Sequence, residues 1–243
     1  MKRWAGHYMS QDMGMQKGKI KTDAGAKMRV LGRRVAVAML AVLVLGQPAM
    51  VLAADDRRPT VMVLGDSLVA GHGLPQGAAF PDVLGDKLAA DGMAVRMINA
   101  GVSGDTTAGG LARLDWSLAE NPDAAIIVLG GNDLLRGLSP EASHANLDAI
   151  IQKLRARGIP VLLAGMQAPR NFGADYANEF DAIYRRLASQ HEVLFYPFFL
   201  AGVALRPEMN LSDGMHPNAK GIDHIASTML PLARRLVELV KAR

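Results

Sequence analysis

The chain contains no cysteine in its 243 residues. That absence excludes disulfides, a thiol nucleophile and thiolate metal sites together, so stability has to come from a packed core. Aromatic residues are scarce at 5%, and only Trp4 and Trp116 are tryptophans. No apolar run reaches the roughly 20 residues that a membrane-spanning helix needs. A basic stripe is missing as well. The net charge of +4 sits at the front, where Met1–Ala53 hold nine Lys or Arg against two Asp. Beyond Ala53 there are eighteen basic and twenty-one acidic residues, with no Lys/Arg stripe interleaved with aromatics. The body is therefore mildly acidic, which argues against nucleic-acid binding.

What the front does carry is an export pattern. Lys27, Arg29, Arg33 and Arg34 precede an apolar run from Val35 to Leu45, followed by Gly46 and Pro48. Val51-Leu52-Ala53 supplies the small residues of a cleavage site, so processing is expected after Ala53. Residues 1–53 thus read as leader and signal peptide, with Met28 an alternative start that leaves a signal of ordinary length. Arg33-Arg34 hints at twin-arginine export, though its flanks match poorly. The mature protein, residues 54–243, is expected in the periplasm or outside the cell, without a stable membrane span.

Half of the chain is apolar, enough for one substantial domain. Val61–Leu64, Val95–Ile98, Ala125–Leu129, Pro160–Ala164 and Val193–Tyr196 read as strands. Their nearly unbroken apolar character fits a parallel sheet covered on both faces. Helices are expected over Pro81–Ala90, Thr107–Ala119, Pro140–Arg157, Tyr176–Gln190 and Ala219–Lys241. The Pro140 segment carries its own boundaries: Ser139 to cap, Pro140 in the first turn, Glu141 at the positive end and Gly158 as the stop. Leu147, Ile150, Ile151 and Leu154 give it a core-facing stripe. Alternating strands and helices at this spacing predict a three-layer α/β/α sandwich around a five-stranded parallel sheet, as one domain with monomer the default state.

In such sheets, ligands bind beyond the carboxyl ends of the strands. Those ends are where the polar residues gather. The first strand breaks into Gly65-Asp66-Ser67, the second runs through Asn99 to Asp105, and the third ends in Gly130-Gly131-Asn132-Asp133. Before the last helix comes Ser212-Asp213-Gly214-Met215-His216-Pro217. Taken singly, each is a turn, a loop glycine or a helix cap. As an ordered set at strand and helix boundaries they point to chemistry. A serine hydroxyl needs a base to attack a carbonyl, and imidazole can take that proton and later return it to the leaving group. His216 is the candidate base for Ser67, and Asp213 can fold back onto it across Gly214. The Ser67 and Gly104 backbone N–H groups and the Asn132 amide are the expected oxyanion donors.

These blocks resemble the GDSL, or SGNH, hydrolase superfamily over essentially the whole mature chain. Val102-Ser103-Gly104-Asp105-Thr106-Thr107 and Gly131-Asn132-Asp133-Leu134-Leu135-Arg136-Gly137 are similar to its exported bacterial arylesterases, acyl-thioesterases and lysophospholipases in particular. The resemblance implies the flavodoxin-like SGNH fold, with Ser67, Gly104, Asn132 and His216 in the four name-giving positions. It also implies hydrolysis of aryl esters, acyl-CoA thioesters and lysophospholipids. The elbow G-x-S-x-G of other serine hydrolases is absent, since Leu68 and Val69 follow Ser67.

Leu134, Leu135, Met166 and Phe172 are expected to line an apolar acyl groove, with Phe198, Phe199 and Leu200 nearby; the alternative is that most of them are core. His72 reads as a loop residue without a nearby carboxylate, and His144, His191 and His224 as surface or packing residues. The six histidines show no spacing that builds a metal site, so neither metal nor cofactor is expected. Two other readings stay open. One is a carbohydrate O-deacetylase of the same superfamily, which calls for aromatic sugar platforms. The other is a non-catalytic periplasmic binding module, which has no need of Ser67, Asn132 and Asp213 together.

Overall fold

The computed structural model describes residues 58–242. The leader, its cleavage site and the alternative start lie outside the described residues. Five strands form one sheet: β1 Thr60–Gly65, β2 Arg96–Gly101, β3 Ala124–Val128, β4 Val161–Ala164 and β5 Leu194–Tyr196. The order is β2-β1-β3-β4-β5 and every pairing is parallel. β1, β3 and β4 are buried along their whole length, which is why their sequences lack polar alternation. β2 lies at the edge and is half-open.

The helices are α1 Ser67–Ala70, α2 Phe80–Ala90, α3 Thr107–Ala112, α4 Leu114–Ser117, α5 Gly131–Leu135, α6 Pro140–Ala156, α7 Ala174–His191 and α8 Ala219–Lys241. α2 packs with α8, while α6 packs with α3 and α7. The expected sandwich and its five strands are present. α6 shows how the local signals operate. The Ser139 hydroxyl accepts the Ala142 N–H at 3.3 Å, and Leu147, Ile150, Ile151 and Leu154 are all fully buried. Among the described residues no helix is long and apolar enough to cross a membrane.

One expected element is corrected. Thr107–Ala119 is not a single helix but α3, α4 and a 3₁₀ turn over Leu118–Glu120. Helical geometry lapses at Arg113, with φ −98° and ψ 2°. Its guanidinium is engaged elsewhere, by the Asp105 carboxylate at 2.5 Å and the Gly65 carbonyl at 2.9 Å. Apolar spacing continues through this stretch, so periodicity alone cannot reveal a break that coincides with a nearby ion pair and a long-range hydrogen bond from Arg113.

The strand order reverses direction at β1, between β2 and β3. In a doubly wound sheet that is the switch point where a crevice opens. Register fixes its floor: Gly65 pairs with Gly101 on one side and Val128 on the other. Three strands therefore end at one level, and the segments that follow them emerge side by side.

Candidate active site

Asp66 follows β1 directly and is 1% exposed. Its carboxylate accepts the Leu68 N–H at 3.0 Å and so caps α1, placing Ser67 as the first helical residue. Neither this one-turn helix nor α5 is distinguishable from a turn in the sequence, because four or five residues carry no period.

After β2, Gly104 takes a φ of +84°, which L side chains rarely adopt. A Cβ there would meet only the Arg136 guanidinium, at 3.8 Å; it is the backbone conformation that calls for glycine. Arg136 donates to the Gly104 carbonyl at 2.7 Å, and Asp105 is held by Arg113, so the loop is braced on both sides of Gly104. After β3, Asn132 lies on α5 and donates its Nδ2 to Asp66 Oδ2 at 3.1 Å. A carboxamide has two N–H bonds, so one remains for a substrate. Asp133 is buried and accepts the Thr107 N–H at 2.8 Å, the Thr107 hydroxyl at 2.6 Å and the Ser143 hydroxyl at 3.0 Å. It ties α5 to α3 and α6. The backbone N–H groups of Ser67 and Gly104 have no acceptor among the described residues.

The last segment is a pinned loop. Asn210 and Pro217 form an antiparallel bridge, the Leu211 N–H donates to the His216 carbonyl at 2.7 Å, and the Gly214 N–H donates to Leu211 at 3.0 Å. Asn218 caps α8 through Lys220 and Gly221 and also donates to the carbonyls of Glu208 and Asn210. Gly214, across which Asp213 folds back, meets a conformational demand: φ is +71° with open space around it. Asp213 accepts the backbone N–H groups of Met215 and His216 at 2.9 and 3.0 Å through Oδ1. Its Oδ2 lies 2.6 Å from His216 Nδ1, and His216 Nε2 lies 2.9 Å from Ser67 Oγ. Ser67 and His216 are 149 residues apart in the chain.

Two carboxylates near the imidazole have opposite environments. The His216 backbone N–H, then that of Met215 and then the His216 ring hold Asp213 well below the usual carboxylate range. Burial pushes Asp66 up to about 6, opposed by the Leu68 N–H, the Asn132 amide and the charge of His216. Folded Asp66 thus holds its proton more tightly than the unfolded chain does. Its contribution to stability is full below the usual carboxylate value of 3.8 and is lost as pH rises through about 6. Asp213 acts the other way, losing its contribution only as pH falls below the ordinary range. Stability of the native protein relative to Asp66→Asn is expected to fall by about 2 kcal/mol between roughly pH 4 and pH 7. Urea unfolding of both proteins across that interval checks it; parallel curves would remove the burial effect.

These groups line one cleft of about 670 Å³, which Ser67, Gly104, Asn132 and His216 share with Leu134, Leu135, Met166, Phe198 and Leu200. Leu134 is 7% exposed and belongs partly to the core, whereas Leu135 is 59% exposed at the rim. Phe172 is not among the lining residues; its ring stacks on Tyr176 with centroids 5.9 Å apart. Phe199 is fully buried against Phe80. Trp116 is 78% exposed and lies outside the cleft, whose lining has no Trp or Tyr.

Sequence reasoning missed three residues here. Arg113 and Arg136 brace the Gly104 loop, and no spacing rule links them to it. His72 was expected to lack a carboxylate neighbour. Its ring in fact lies 4.5 Å from that of His216, centroid to centroid, and one nitrogen comes within 4.8 Å of an Asp213 oxygen. The distance along the chain hid that meeting.

Residues 63–223 match the GDSL-like lipase/acylhydrolase family. The chain is 40% identical over 200 residues to esterase TesA of Pseudomonas aeruginosa, covering 80% of this chain and 100% of that protein. It is 39% identical over 182 residues to thioesterase 1/protease 1/lysophospholipase L1 of Escherichia coli K12, covering 74% and 85%. Among solved structures, AlinE4, an SGNH-hydrolase family esterase, shares 45% identity with a TM-score of 0.63, covering 74% of this chain and 96% of that one.

Proposed function

Because this chain belongs to the GDSL-like lipase/acylhydrolase family, the SGNH hydrolases, we propose that it is a serine esterase working through an acyl-enzyme on Ser67. It is a carboxylic ester hydrolase. The observation that carries the finer reading is the relay from Ser67 Oγ to His216 Nε2 at 2.9 Å and from His216 Nδ1 to Asp213 Oδ2 at 2.6 Å.

Ser67 Oγ attacks the acyl carbon as His216 Nε2 takes its proton. Ionised Asp213 fixes the tautomer that leaves Nε2 free to accept, and it stabilises the imidazolium. The carbonyl oxygen, now negative, is received by the Ser67 and Gly104 N–H groups and the second N–H of Asn132. Collapse expels the alcohol or thiol, which His216 protonates. Water then repeats the cycle on the acyl-serine and releases the acid. Asp66 holds the Asn132 amide from behind, so that donor needs no reorganisation. Asn132→Ala is expected to lower kcat by about 10²–10³ while KM changes little. Steady-state kinetics on a p-nitrophenyl ester measures both, and an unchanged kcat removes Asn132 from the oxyanion site.

Aryl esters, acyl thioesters and lysophospholipids share an acyl chain on a polar leaving group, and the apolar cleft suits that class. Leu134, Leu135 and Met166, with Phe198 and Leu200, are assigned to the acyl chain; Phe172 stands outside. Leu134→Ala deepens the groove and is expected to raise the octanoate-to-butyrate ratio of kcat/KM about tenfold, since each methylene is worth roughly 1–3 kcal/mol. The same change costs about 2–5 kcal/mol of stability, because Leu134 is also core. A chain-length series of p-nitrophenyl esters tests this, and an unaltered ratio removes Leu134 from the groove. A sugar platform has no support in a cleft lined by neither Trp nor Tyr. Export rests on the leader's charge, apolar run and Val51-Leu52-Ala53 site. Labelling by a fluorophosphonate, lost in Ser67→Ala, tests the nucleophile directly.

A further inference from the structure

The proposed hydrolysis uses two of three donor side chains that lie close together, and the third, His72, lines the cleft with His216. His72 sits in the turn after α1, exposed, and neither of its ring nitrogens has a hydrogen-bond partner among the described residues. One ring nitrogen each of His72 and His216 and one carboxylate oxygen of Asp213 all lie within 4.8 Å of one another. We propose that His72, Asp213 and His216 form a binding site for a divalent transition-metal ion of the zinc type, and that the bound ion reversibly blocks the hydrolase. The site stands on these three side chains alone; the block rests on His216 being the base.

The donor set suits such an ion. Two imidazoles and a carboxylate with an open fourth position are a common zinc environment, with bonds of about 2.0–2.2 Å. Tetrahedral bonds of that length set donors roughly 3.3 Å apart, so the exposed His72 side chain has to turn inward and the Asp213–His216 pair, 2.6 Å apart, has to readjust around the ion. Its nitrogens give up no existing bond in doing so. Hard ions such as magnesium and calcium prefer oxygen and are not expected to compete.

Occupation and catalysis exclude one another at the atomic level. An ion on His216 Nε2 takes the lone pair that must accept the Ser67 proton. An ion on Nδ1 displaces the proton there and its bond to Asp213, which reverses the tautomer. Either way the base is lost: in the first case its lone pair is taken, in the second the proton moves from Nδ1 to Nε2.

Zinc binding to the Ser67→Ala protein is measured by calorimetry, beside Ser67→Ala/His72→Phe, in which phenylalanine keeps a ring against His216. One ion per chain is expected, bound about ten- to a hundredfold more weakly without His72. In the native protein, zinc is expected to inhibit ester hydrolysis reversibly, with full recovery on adding EDTA. His72→Phe should need at least tenfold more zinc for half inhibition, each protein normalised to its own metal-free rate. Equal zinc affinity with and without His72 overturns the site, as does inhibition that EDTA does not reverse. Binding that depends on His72 in a protein without esterase activity would uphold the site and sink the hydrolase reading instead.

Discussion

Replacing Ser67 by alanine is expected to lower kcat for aryl esters by about 10⁴–10⁶, and His216→Ala by a similar factor, with the double variant no worse than either alone. The non-additivity is the informative part. Ser67 and His216 share one hydrogen bond of 2.9 Å, so removing either partner disables the same proton transfer. What survives is the contribution of binding and of the oxyanion donors, which do not depend on the hydroxyl. Both residues are peripheral to the packed core: Ser67 opens a helix of one turn and His216 sits on a loop. Thermal stability should therefore stay within a few degrees of the native protein, separating lost chemistry from lost fold. Pre-steady-state kinetics adds a second readout, because a burst of nitrophenol from an acyl-enzyme must vanish with Ser67. A Ser67→Ala protein retaining a tenth of the native rate would end the nucleophile assignment.

The fold was legible wherever one local signal coincided with one element. Five apolar runs became five strands, of which β1, β3 and β4 are buried throughout, and the α6 boundaries follow from Ser139, Pro140 and Gly158 because caps act within a single turn. Legibility failed where the deciding contact was remote. Arg113 breaks a helix by reaching Asp105 and the Gly65 carbonyl, the latter 48 residues away. The site divides the same way. The rule that strand ends carry ligands pointed to Ser67, Gly104 and Asn132, and the topology brings them to one crevice with His216. That rule does not rank apolar residues near strand ends, so Phe172 was grouped with Met166 although its ring stacks on α7. Nor could it see His72, whose neighbour is a residue of the last loop.

Asp213→Asn is expected to cost about 10⁴ in kcat with the loop intact, a larger loss than removing an oxyanion donor. Asp213 has two tasks on two oxygens. Oδ1 accepts the Met215 and His216 backbone N–H groups and shapes the turn, and Oδ2 faces His216 Nδ1. Asparagine can keep its carbonyl oxygen on the two backbone donors, which preserves the turn. Its NH₂ then faces Nδ1, and two donors cannot share one bond. His216 relieves the conflict by moving its proton to Nε2, where it points at Ser67 and can no longer accept. The imidazole stays in place with the wrong nitrogen protonated. Substrate contacts are untouched, so KM should hold while kcat falls. Asp213→Ala loses both tasks and should also loosen the loop, which differential protection of the Met215 and His216 amides from hydrogen exchange would register. If Asp213→Asn were nearly as active as the native protein, the carboxylate would serve the turn alone, and another group would have to orient the base.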